Sequence, residues 1–218
     1  MASKALSTWL PQVIIESVLI VVSILVALGL DAWRQNREDE EFVRTALSNF
    51  LIEIRQNQIR VEDAAPFNMG LRQVLAQHYA KEDISSIDEF VNMVEIYSPA
   101  ALQSTAWDTA LATGSLAKME YNLVTALSLT YNLQNRYDVT TRSGMADLTS
   151  PQYLFDDNLK LAVYNSIRYL DEVTTMEAEL GITYQEASLV VESALERLNS
   201  GGEFDGVRVL SAKDLAHP

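Results

Sequence analysis

One carboxyl group, Glu16, stands inside an otherwise apolar run of eighteen residues, 13–30. An acid in that setting can hydrogen-bond to a neighbouring helix, relay protons with a partner group, or reach back to the membrane surface. At 100° per residue, Gln12, Glu16, Ser23, Ala27 and Arg34 fall within about 40° of one line along a helix. Facing lipid, an acid at mid-span costs about 2.5–3.5 kcal/mol, so a polar, small-residue stripe on a lone span is expected to face another helix. The expected role is an assembly interface, with Glu16 bonding to a second copy or to another membrane subunit. The competing reading leaves Glu16, about 10 Å along the helix from Trp9, snorkelling to the surface without a partner.

Other reactive patterns are sparse. The histidines are His78 and His217, and a solvated or partly buried His78 is expected rather than a metal ligand. No Glu-x-x-His occurs for a carboxylate-bridged metal pair. Asp156–Asp157 and Asp171–Glu172 lack the spacing of a calcium loop. Cysteine is absent, which removes disulfides, thiolate metal sites and thiol catalysis together, and fits a bacterial envelope protein. No nucleophile elbow, phosphate-binding glycine loop or dinucleotide fingerprint appears. We therefore expect neither a catalytic residue nor a metal nor a cofactor.

The apolar run sets the architecture. A membrane helix needs about 20 mostly apolar residues. Trp9 and Trp33 bracket the run, about 36 Å apart at helical rise, which suits indoles in the two headgroup layers. Trp9, Asp31 and Trp33 are the expected membrane-boundary anchors, with Asp31 and Arg34 spaced to pair. The run exceeds the 7–15 apolar residues of a signal peptide and leads without a break into a charged helix, so an uncleaved anchor is expected. Positive charges after the span, Arg34, Arg37 and Arg44, argue for a cytoplasmic domain. A short N-terminal tail before a large C-terminal domain argues for export, and the periplasmic side is the one adopted.

The chain has 218 residues, with 16 Lys and Arg against 30 Asp and Glu. Lys4 and Glu16 cancel, so the net charge of −14 lies entirely beyond residue 30. So acidic a domain repels phosphate backbones and anionic headgroups, which argues against nucleic-acid binding. The expected organisation is a tail at 1–8, a transmembrane helix at 9–33, a stalk helix at 34–65, a helical domain at 66–199 and a loose tail at 200–218.

Within the stalk, Val43, Leu47, Phe50, Ile54 and Val61 share one face, with Arg, Gln and Asn on the other, and Pro66 is expected to end it. Helices follow at 66–79, at 87–97 behind a Ser86/Glu89 capping box, at 104–113 closed by Gly114, and at 117–138. Residues 140–150 read as a loop through Gly144. Ser150-Pro151 opens a helix that buries Leu159, Val163, Ile167, Leu170, Val173, Met176 and Leu180 until Gly181, and Thr183/Glu186 caps a last helix to 199. A short strand at 207–210 is conceivable, but no segment alternates long enough for a sheet. The fold expected is all-α, an irregular antiparallel bundle.

The stretch 104–116 is distinctive. Trp107, Leu111 and Leu116 are expected to pack inward at a helix–turn–helix corner, with Gly114 supplying the left-handed turn. A small pocket lined by Trp107, Tyr121 and Tyr131 is the functional alternative.

Glu16, Leu19-Ile20-Val21-Val22, Asp31-x-Trp33-Arg34, Ala106-Trp107, Thr113-Gly114-Ser115-Leu116 and the 127–131 region resemble a family of uncharacterised single-pass bacterial membrane proteins. These pair a Glu-bearing span ending in Asp-x-Trp with a helical domain of unknown function. The resemblance covers most of 13–140 and departs at Ala110, where a bulkier residue is expected. It implies an anchor and an all-helical domain, and carries over no catalytic residue.

The function expected from sequence is a non-enzymatic, single-pass subunit of the bacterial inner membrane, whose partners are the lipid bilayer and other subunits or itself. A periplasmic sensor or small-ligand-binding bundle is the alternative. It is weakened by an eight-residue tail too short for an output domain. A tethered hydrolase would need a catalytic constellation that is not visible.

Overall fold

The computed structural model describes residues 6–148 and 155–200, and the side chains of 15–144, 155 and 157–200. All regular structure there is helical: α1 (Leu6–Lys81), α2 (Ile87–Val94), α3 (Thr105–Thr113), α4 (Tyr121–Leu148) and α5 (Leu159–Asn199), with 3-10 turns at Ser115–Lys118 and Asp156–Asn158. The expected Ser150-Pro151 helix start, the 201–218 part of the tail and the 207–210 strand lie outside the described residues. The chain divides into two compact units, Met1–Val43 and Arg44–Pro218.

The first unit is the N-terminal part of α1. It is long and apolar enough to cross a membrane, and none of that apolar stretch is buried. Large side chains from Ile15 to Leu30 point outward all around the helix.

In the second unit, one pattern builds three helices. On α1 one buried row is Leu47, Phe50, Ile54, Asn57, Val61, Ala64, Asn68, Leu71 and Leu75, at steps of three and four. The matching row on α4 is Leu123, Leu127, Thr130, Gln134, Tyr137 and Thr141, and on α5 Leu170, Val173, Glu177, Leu180, Tyr184, Ala187, Val191, Ala194 and Leu198. That alternation is the seam of helices that pack side by side.

The seam corrects three expected boundaries. α1 does not end at Pro66, because Val61, Ala64, Asn68, Leu71 and Leu75 keep their phase across it. A proline there costs about 3 kcal/mol, whereas each Leu buried beyond it returns about 1.5–3 kcal/mol. Gly181 does not end a helix either: Glu177, Leu180, Tyr184 and Ala187 carry the seam of α5 straight through it, and no cap forms at Thr183. Gly144 lies within α4, not in a loop. Its missing side chain admits the Tyr169 ring from α5, which a Cβ would overlap.

Hydrogen-bonded pairs give the helix directions. Asn68–Glu177, Arg72–Asp171 and Glu82–Lys160 show α1 and α5 running oppositely. Gln134–Tyr184 and Tyr137–Glu177 show the same for α4 and α5. Glu53–Tyr131 and Asn57–Gln134, however, put α1 and α4 parallel. Parallel neighbours need a connection that travels back along them, and residues 82–120 supply it. α2 begins where expected, with Ser86 Oγ accepting from Glu89 N, but ends at Val94. Residues 97–104 then form an extended strap. α3 follows and closes on Gly114 at φ 72° as expected.

Candidate functional site

The strap has no helical bonds of its own, and where it lies against the helices its N–H and C=O groups need other partners. Polar residues on the helix seams provide them. Asn68 Oδ1 accepts from Ser98 N at 3.4 Å, and its amide donates to Ser98 O at 3.4 Å. Tyr137 Oη accepts from Ala100 N at 2.8 Å. Arg60 donates to Ala101 O at 3.2 Å. Asn57 Oδ1 accepts from Gln103 N at 3.0 Å, while the amides of Asn57 and Gln134 both donate to Gln103 O, at 2.7 and 2.8 Å.

Two buried carboxyl groups complete the arrangement. Glu53 Oε2 accepts from Ala106 N at 2.9 Å, in the first turn of α3, and Oε1 accepts from Tyr131 Oη at 2.7 Å. Ser104, the N-cap residue of α3, makes no side-chain cap, so a carboxylate from α1 serves the orphan donor and the helix dipole instead. Glu177 is 1% exposed. Its Oε1 accepts from Asn68 at 2.7 Å and from Tyr137 at 2.9 Å, while Oε2 has no partner. Burial pushes the Glu177 carboxyl above its ordinary range, and the bonds from Asn68 and Tyr137 recover part of the shift. Burial likewise raises the hydroxyls of Tyr97, Tyr131, Tyr137 and Tyr184, which act as neutral donors. Committed to backbone and to one another, these side chains hold the strap in place.

Sequence reasoning placed Asn and Gln on the outer face of α1 and missed this network. The readable signal was the seam itself, since Asn57 stands between Ile54 and Val61 at the same three-and-four spacing, and Asn68 stands between Ala64 and Leu71.

The residues picked out from sequence occupy varied places. On the first unit, Glu16, Ser23 and Ala27 are exposed, and Ser23 Oγ donates back to Leu19 O at 2.8 Å. Gln12 and Trp9 lie in α1, with side chains outside the described set. Arg34 reaches Asp31 at 3.3 Å and Glu38 at 3.8 Å, and Arg37 lies 5.6 Å over the exposed Trp33 ring. At the corner, Trp107 is half-buried, stacking on Tyr131 at 5.3 Å and tilting against Phe50 at 6.4 Å. Leu116 is half-buried as well.

Leu111 is a correction. It is 56% exposed, and Ala110, at 2%, is the residue that turns inward. Ser115, also buried, bonds back to Ala110 O and fills the space beneath the turn. Tyr121 is 80% exposed, so it lines no pocket with Trp107 and Tyr131. His78 does have an acidic partner, Asp83, at 2.7 Å, but at five residues' distance across the end of α1. Among the described residues no group of three metal-ligating side chains converges.

Comparison with family models, curated proteins and solved structures gives no match. The resemblance of residues 13–140 therefore rests on the residue pattern itself.

Proposed function

We propose that this chain is a non-enzymatic, membrane-anchored subunit whose N-terminal helix spans the bacterial inner membrane once and carries an irregular, mainly antiparallel helical bundle on the periplasmic side. It assembles through that helix, with itself or with another membrane subunit, on the face bearing Gln12, Glu16, Ser23, Ala27 and Arg34. The observation that carries the reading is the stretch from Ile15 to Leu30, helical and apolar apart from the stripe bearing Glu16 and Ser23, with every large apolar side chain exposed. Water would penalise that surface at about 25 cal/mol per Å2. The exposure of Glu16 within it supports a polar contact to a second helix, since lipid offers an acid no partner. Trp33, Asp31, Arg34 and Arg37 at its far end suit a headgroup boundary. In the second unit Asn57, Asn68, Gln134 and Tyr137 are bonded to the strap, which supports a scaffold.

Two measurements test this. The full chain should stay in the membrane pellet after alkaline carbonate washing. In mild detergent it should run on native gels as an oligomer or larger complex that Glu16→Leu disrupts. Release by carbonate would remove the anchor, and unchanged migration of the variant would remove Glu16 from the interface.

A further inference from the structure

A cavity of about 330 Å3 opens in the second unit where α1 ends and α5 begins, at the small end of the range for small-molecule sites. Tyr79, Ile84, Leu159 and Val163 give it an apolar wall, and its rim carries both signs of charge, with Lys160 against Glu82 and Asp157. Lys160 Nζ lies 2.6 Å from Glu82 Oε1 and 5.9 Å from the centre of the Tyr79 ring. His78, also on the lining, is held by Asp83.

Glu82 reaches the rim from an unusual backbone position. Its N–H bonds to Tyr79 O at 3.3 Å and the N–H of Asp83 to His78 O at 3.4 Å, the paired bonds that close a helix with a left-handed residue. Glycine suits that residue best, yet this chain places a glutamate there at φ 55°. The strained residue supplies the carboxylate that faces Lys160.

We propose that this cavity binds a small zwitterion with an apolar side chain, an α-amino acid of the size of leucine or phenylalanine. Lys160 takes its carboxylate, Glu82 and Asp157 take its ammonium, and Tyr79, Ile84, Leu159 and Val163 enclose its side chain. An ion pair as exposed as Lys160–Glu82 is weak and opens readily, and a zwitterion replaces both partners at once. A simple anion would meet Glu82 and Asp157, and a simple cation would meet Lys160. The helix ends agree with this orientation, since the C-terminus of α1 favours positive charge and the N-terminus of α5 favours negative charge. The site is independent of any association through the span.

Calorimetric titration of the full chain in detergent tests the proposal. Leucine or phenylalanine should bind saturably with a Kd between about 10 µM and 1 mM, as suits so few heavy atoms. 4-Methylpentanoate, which lacks the amine, and 3-methylbutylamine, which lacks the carboxylate, should each bind at least about tenfold more weakly than leucine. Lys160→Met should weaken leucine at least about tenfold while leaving 3-methylbutylamine unchanged or tighter. Ile84→Trp should fill the cavity and abolish binding with an unchanged far-UV spectrum. Absence of saturable heat with both amino acids overturns the proposal. So does equal leucine affinity in the wild type and Lys160→Met, or a one-charge analogue that binds as tightly as leucine.

Discussion

Replacing Gly144 with alanine probes the closest approach of α4 and α5. A Cβ at that position would fall within the Tyr169 ring, against Cε2, Cζ and Cδ2. The ring cannot simply swing aside. Its hydroxyl lies 2.6 Å from the Tyr97 hydroxyl and donates to Thr141 O at 3.2 Å, and the ring stands edge-on to Tyr97 at 5.6 Å. Two effects of opposite sign compete. Alanine in a helix interior is better than glycine by about 1 kcal/mol. Overpacking costs about 1–3 kcal/mol, and losing one or both hydroxyl bonds costs about 1 kcal/mol each. The second effect wins, for a net loss of about 1–4 kcal/mol. Gly181→Ala on α5 is the control, because open space surrounds its Cβ and only the propensity gain remains. It should stabilise by about 0.5–1 kcal/mol. Urea unfolding of the full chain in detergent, followed by near-UV circular dichroism of the buried tyrosines, measures both. Adding Tyr169→Leu to Gly144→Ala should cost less than the sum of the single changes, since the two residues touch. A Gly144→Ala protein as stable as the wild type would refute the reasoning, because a glycine in an open loop behaves that way.

Two further outcomes follow from the second unit. Glu177 binds its proton more tightly folded than unfolded, so folded chains hold more protons between the ordinary value of 4.5 and the raised one. Its contribution is therefore fully present at low pH and is lost as pH rises through that window, with a slope of at most about 1.4 kcal/mol per pH unit. Glu177→Gln keeps a carbonyl for Asn68 and Tyr137 and lacks this loss, so its stability relative to wild type should climb with pH in urea titrations from pH 4 to 8, and parallel profiles would contradict the raised carboxyl. At the corner, Ala110→Leu should cost about 1–3 kcal/mol by overpacking, whereas Leu111→Gln should stay within about 0.5 kcal/mol. The reverse order would return Leu111 to the interior.

What the sequence revealed depended on how local the cause was. The all-helical class, the Ser86 cap of α2 and the Gly114 turn follow from neighbouring residues, and all were readable. The breaks expected at Pro66, Gly144 and Gly181 were not found, because in each case a partner helix decided. A proline or glycine speaks for its own backbone alone, while seam burial sums over several turns. Leu111 failed for a related reason. Its size suggested the interior, but the distance between α3 and its neighbours had been set by Ala110 and Ser115, the small residues on the facing side. The cavity at the end of α1 draws Tyr79 and Lys160 together across 81 positions, which no short-range pattern encodes.

The polar seam has a consequence for the choice of fold. Leucine at Asn57, Asn68, Gln134 and Glu177 would give cleaner apolar seams, yet the strap would then lose the side-chain partners of its N–H and C=O groups at Ser98 and Gln103. Three helices with such seams could close directly on one another and expel the strap. With the polar residues in place Asn57 bonds to Gln134 and Asn68 to Glu177 across the helices, and admitting the strap gives their remaining donors and acceptors backbone partners, Glu177 Oε2 excepted. The same substitutions that weaken the seam therefore select the arrangement in which residues 97–104 lie against α1 and α4. That is how α1 and α4 come to run parallel, with the chain between them held along its length.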